Sequence, residues 1–133
     1  MTNPFDLITI TAGGGFFLGD DYKISLVNKD NKFFLRGKCV RRNMQSLEKQ
    51  TMKDSVKVTA EWAKEILDEL RKAEIPLFPP GMYGCDGSFF TMTVGDMFGG
   101  ATYRWWSEPP EGWGILPKIT RKILDEFLKN VPE

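Results

Sequence analysis

The chain has 133 residues, 41% hydrophobic and 27% charged, with 18 basic and 18 acidic side chains. That is the size and composition of one globular domain; it excludes a disordered chain and removes any global electrostatic pull on nucleic acid or on an anionic membrane. Histidine is absent, so Ser-His-Asp and Cys-His catalysis within the chain, and zinc sites of the His-containing types, are excluded as well.

Leu7-Ile8-Thr9-Ile10-Thr11 alternates and is β-branched, which predicts a strand. Gly13-Gly14-Gly15 ends it, and a loop follows to Asp21. Tyr22 to Val27 alternates again, and Lys32 to Arg36 follows a polar stretch, Asn28 to Asn31, so the two runs predict a hairpin around that turn. Arg41 to Asp54 is polar without clear period, either a loop or a short extension of the sheet, and Ser55 to Val58 alternates briefly.

Thr59 is placed to cap a helix from Ala60 to about Ala73, with Ala63, Ile66, Leu67 and Leu70 on one face. Pro76, Pro79 and Pro80 stop it. Ser88 to Val94 and Ala101 to Trp106 predict a second hairpin, with its loop at Gly95 to Gly100. A final helix is expected from about Pro117 to Leu128, its stripe made by Leu116, Ile119, Ile123, Leu124, Phe127 and Leu128. The order of elements predicts an α+β fold: one domain over residues 1–133, with an antiparallel sheet of about five strands and both helices on one face.

Residues Met1 to Asp6 show neither the basic region nor the apolar stretch of a signal peptide, and no apolar run approaches the roughly 20 residues of a membrane span. A cytoplasmic protein without membrane association is therefore expected. The two cysteines, Cys39 and Cys85, are expected to be separate thiols in that compartment. No cofactor or metal is expected.

Five features invite a functional interpretation. The glycine-rich stretch Gly13-Gly14-Gly15 with Gly19 follows a strand, but its spacing is neither that of a dinucleotide fingerprint nor that of a P-loop, and a bend or bulge in the strand accounts for it. Asp20, Asp21 and Asp86 would serve a small carboxylate-dependent enzyme or ligand site only if they converged. Cys85 lies beside Asp86, which works against a reactive thiolate. Residues 32–57 carry eight basic against two acidic side chains, a pattern open to nucleic-acid contact but equally that of a protected edge strand, and nucleic acid is disfavoured.

The fifth feature is the aromatic segment. Trp105 and Trp106 are adjacent on a strand and must face opposite sides. One enters the core; the other is either covered by the loop Pro109-Pro110-Glu111-Gly112-Trp113 or exposed as a hot spot for a partner. Around it stand Asp86, Asp96, Glu108 and Glu111 against Arg104, which suits a basic partner.

The motif Asp86-Gly87-Ser88-Phe89, then Tyr103-Arg104-Trp105-Trp106, then Pro109-Pro110-Glu111-Gly112-Trp113 and Leu116 resembles the ending of small uncharacterised bacterial α+β proteins, domains of unknown function of which some look like immunity proteins. The resemblance covers roughly the last 50 residues, implies the fold rather than an activity, and transfers no catalytic residue. The sequence therefore leads to a non-catalytic protein-binding domain, an immunity-type inhibitor being one form of it. Its expected site comprises Arg104, Trp106, Glu108, Glu111 and Trp113. The alternatives are the carboxylate or ligand site beside the glycine-rich stretch, and a structural homodimer.

Overall fold

Period-two alternation gives each strand one apolar edge, and the hairpins align those edges on a common side. In the computed structural model, which describes residues 6–13, 21–42, 49–77, 89–96, 99–106 and 109–130, the chain forms β1 (Asp6–Gly13), β2 (Asp21–Lys29), β3 (Lys32–Arg42), β4 (Lys49–Val58), α1 (Ala60–Lys72), β5 (Phe89–Asp96), β6 (Gly99–Trp106) and α2 (Ile115–Asn130). All pairings are antiparallel, in the order β4-β3-β2-β1-β5-β6. The first four strands form a meander, and the second hairpin returns to the free side of β1.

Six strands form rather than about five. The difference lies in β3 and β4: the polar stretch after Arg41 resumes as a strand at Lys49 and pairs with β3 as far as Arg42↔Lys49. Among the described strands β4 has only β3 beside it, and its first half, Lys49-Gln50-Thr51-Met52-Lys53, carries no apolar alternation to mark it. The first hairpin turns on Asp30 and Asn31, whose φ values of 55° and 62° are the left-handed pair that a two-residue turn needs. The second hairpin continues past the expected loop: Gly95 pairs with Gly100 and Asp96 with Gly99. The glycines after β1 cause no bulge within it, since Gly13 still pairs with Phe89; the register shift falls between Asp6 and Ile8 instead.

The register sets Ile8, Leu26, Leu35 and Val56 side by side across four strands, and Met92, Ile10 and Ile24 in the next row. All seven are buried, together with Ala63 and Ile66 of α1 and Leu116, Ile119, Ile123 and Phe127 of α2. Both helices thus lie on one face, as their apolar stripes require. At about 1.5–3 kcal/mol for each fully buried large apolar side chain, this layer is the main source of stability. Thr59 caps α1, its Oγ1 accepting from Trp62 N at 3.1 Å. Pro117 falls in the first turn of α2, where a missing N–H costs nothing.

The helices are joined by charge on their outer sides. Lys122 Nζ and Lys118 Nζ both reach Glu69 of α1, the latter at 3.3 Å. The hydrogen bond from Lys122 holds the Glu69 carboxyl below its ordinary range, aided by Lys118 against a smaller desolvation effect. Among the described residues, no helix is long and apolar enough to cross a membrane.

Candidate functional site

Strand alternation divides the aromatic segment between the two faces of the sheet. Trp105 turns to the helices, where it is buried and stacks on Phe90 at 5.8 Å between ring centroids. Trp106 and Arg104 turn to the opposite face. There Trp106 meets Phe89 edge-on at 4.2 Å, and the Arg104 guanidinium lies 5.4 Å over the Phe89 ring. Phe89 is 44% exposed, one of two large apolar side chains so exposed among the described residues.

Trp113 belongs to neither group of the expected hot spot. It is buried on the helix side, edge-on to Tyr103 at 5.5 Å, and its indole Nε1 donates to the Pro76 carbonyl at 3.0 Å. Gly112 makes that approach possible: its φ of +88° and the Pro76 Cγ only 2.7 Å from where a Cβ would stand both require glycine. Trp113 therefore clamps the segment after α1 to the entry of α2. Glu111 is exposed in the same turn. The expected site is thus not one surface: Arg104 and Trp106 share a face, Trp113 is a core residue behind the sheet, and Glu108 lies outside the described residues.

The face bearing Arg104 and Trp106 carries no described helix or strand over it. Its centre is a belt of hydroxyls. Thr9 and Ser25 are buried and hydrogen-bonded at 2.9 Å, Thr93 is hydrogen-bonded to the exposed Thr102 at 2.9 Å, and Thr11 is hydrogen-bonded to Thr91. Arg36 reaches from β3 across β2 to Asp6 of β1 at 3.4 Å, over Ser25 and Val27.

The neighbouring row is basic. Lys23 stands directly opposite Lys38, and Lys38 directly opposite Lys53. On the far side of Thr11 and Thr91 the row ends at Arg104. Lys23, Lys38 and Arg104 are exposed. No acidic residue occupies this row; the nearest on the same face of β2 is Asp21, one step along the strand. Lys23 and Lys38, exposed and in register on adjacent strands, repel one another, and Lys53 takes the next position of the same register; nothing in the local sequence of any one strand reveals this, because the three positions are separated by fifteen residues each.

Of the carboxylates considered for a catalytic or ligand site, Asp21 opens β2 on this face, while Asp20, Asp86 and the glycines at 14, 15 and 19 lie outside the described residues, as does Cys85. Cys39 is a buried core thiol. Among the described residues, no cluster of three or more Cys, Asp or Glu side chains is placed to hold a metal ion. Compared with protein-family models, curated proteins and solved structures, the chain matches none.

Proposed function

We propose that the protein is a non-catalytic protein-binding domain that docks an acidic partner on the face of its sheet opposite the two helices. The observation carrying this is the row of lysines at positions 23, 38 and 53, closed at its far end by Arg104. Like charges directly opposite each other cost a sheet a few tenths of a kcal/mol per pair. An anionic partner turns that cost into attraction and speeds encounter. Phe89 and Trp106 beside the row supply the apolar anchor that a charged surface alone lacks. The partner sign is opposite to the basic one expected from residues 86–114, since the lysines of the row lie on β2, β3 and β4 and not in that segment. An inhibitor of the immunity type would be one form of such a domain, working through this surface by occupying its partner.

A protein suits this face better than a nucleic acid. The hydroxyls beside the row are bonded to one another, and Phe89 already has Trp106 at its edge and Arg104 over its ring. Among the described residues, no run of ring faces remains on which bases would stack.

The test is a titration of isotope-labelled protein with a Glu/Asp-rich peptide, followed by amide resonances. The expected shifts centre on Lys23, Lys38, Thr11, Thr91 and Arg104, and the double variant Lys23→Glu, Lys38→Glu loses tenfold or more in affinity while remaining folded. Equal binding by the double variant overturns the proposal. So does stronger binding of an oligothymidine of matching length, which would make the face a nucleic-acid surface.

A further inference from the structure

The opposite side of the sheet holds a second feature, independent of the basic row. Between the C-terminal end of α1, the start of α2 and the end of the β1–β5–β6 layer lies an open cavity of about 480 Å³. Small-ligand sites fall in this size range and are mostly apolar with a few placed polar groups. Val94, Leu67, Leu70 and Leu116 are among its walls, and Tyr103 and Arg71 supply its polar side chains. Leu67, Leu70 and Val94 belong to the apolar stripes that close elsewhere into core, yet here they are only half-buried.

The walls are held open by the chain itself. Gly95, at the sheet end of the cavity, has φ +93°, and a Cβ there would collide with the Gly99 carbonyl oxygen, so no side chain can fill that end. The segment carrying Ala73 and Ile75, also in the lining, is fixed by the Trp113 bond to Pro76 and by the packing of Gly112 on the same proline. Glu69, bound to both Lys118 and Lys122, sets the spacing of the two helices. A cavity with rigid walls needs little reorganisation to take a ligand.

Arg71 decides the class of ligand. Among the described residues it is the one charged member of the lining. Asp68, one turn earlier on α1, takes its Nη1 at 3.1 Å, and the side chain is otherwise 71% exposed. A guanidinium carries five donors, so one bond to Asp68 leaves several for an incoming anion. Glu69 faces the two lysines of α2 rather than standing free to repel such an anion. We infer that this cavity binds a small amphipathic carboxylate, its apolar body between the helices and the sheet and its carboxylate on Arg71.

Decanoate is the probe, used below its micelle concentration, with decanol as the neutral comparison. Resonances of Val94, Leu70, Tyr103 and Trp113 are expected to shift saturably with decanoate. Arg71→Gln should weaken decanoate by about tenfold, leaving decanol little changed. Leu67→Trp, which fills the cavity from α1 while leaving the Arg71 side chain in place, should abolish binding of both, with an unfolding midpoint near that of the unmodified protein as the check on folding. The inference is overturned if decanoate gives no saturable shift, if its shifts spread over the sheet face bearing Lys23 and Lys38, or if Arg71→Gln binds it as tightly as the unmodified protein.

Discussion

On one side of β3, Phe33, Leu35 and Cys39 are buried; on the other, Arg36 and Lys38 stand exposed one residue away. The same contrast runs through the sheet. The helix side is apolar from Val56 to Trp105, and its rows are apolar neighbours packed against two helices. The other side is built of hydroxyl pairs, an Arg36–Asp6 link across β2 and a row of like charges. The helix side explains stability; the other carries an arrangement that lowers stability, which is where function is sought first.

The contrast is broken most severely from the helix side. Phe127 is fully buried, and Phe127→Ala should cost about 3–5 kcal/mol, read from denaturant unfolding. Loss well under that range would mean that α2 docks loosely and that the two faces differ less than their burial implies.

A smaller change probes the clamp behind the cavity. Trp113→Phe keeps a ring against Tyr103 but removes the donor to the Pro76 carbonyl. A loss of about 1–2 kcal/mol is expected, with the largest rise in amide exchange in residues 73–77. Unchanged exchange there would show the clamp to be dispensable.

On the open face the sign reverses. Lys38→Thr removes the middle member of the lysine row and places a β-branched residue on a strand. Stability should rise by a few tenths of a kcal/mol, more at low salt than at high. A clear fall in stability would show that Lys38 is held by favourable contacts and would sink the case for a repulsive row.

The smallest effect is acid dependence at the helix pair. The Glu69 carboxyl titrates below its ordinary value of 4.5 in the folded chain, so the unfolded chain binds its proton first as pH falls. Its contribution is full above pH 4.5 and disappears as pH drops through the lower folded value. Comparing acid unfolding of the protein with Glu69→Gln checks this: the two curves should differ at neutral pH and converge in acid, and parallel curves would count against the link.

Much of the fold was legible because its signals are local. Period-two runs marked the strands, the three- and four-residue spacing of Ala63, Ile66, Leu67 and Leu70 marked α1, and Thr59 marked its start. These depend on alternation and capping within a few residues. β4 escaped in part because an edge strand with one dry side needs no continuous apolar pattern.

The candidate site was less legible. The sequence of β6 required Trp105 and Trp106 to face apart, and they do. It did not determine which face each would take, nor that Trp113 would turn inward to the Pro76 carbonyl 37 residues away. Lys23, Lys38 and Lys53 are unremarkable on their own strands; only the registers β2–β3 and β3–β4 make them neighbours. The cavity likewise exists only once α1, α2 and the β5–β6 turn are set against one another. Residue order by itself determined the elements and their apolar sides, because those follow from backbone geometry within a turn or a strand. Tertiary structure alone decided which charges share a row and where a cavity stays open, because both depend on contacts between residues far apart in the chain.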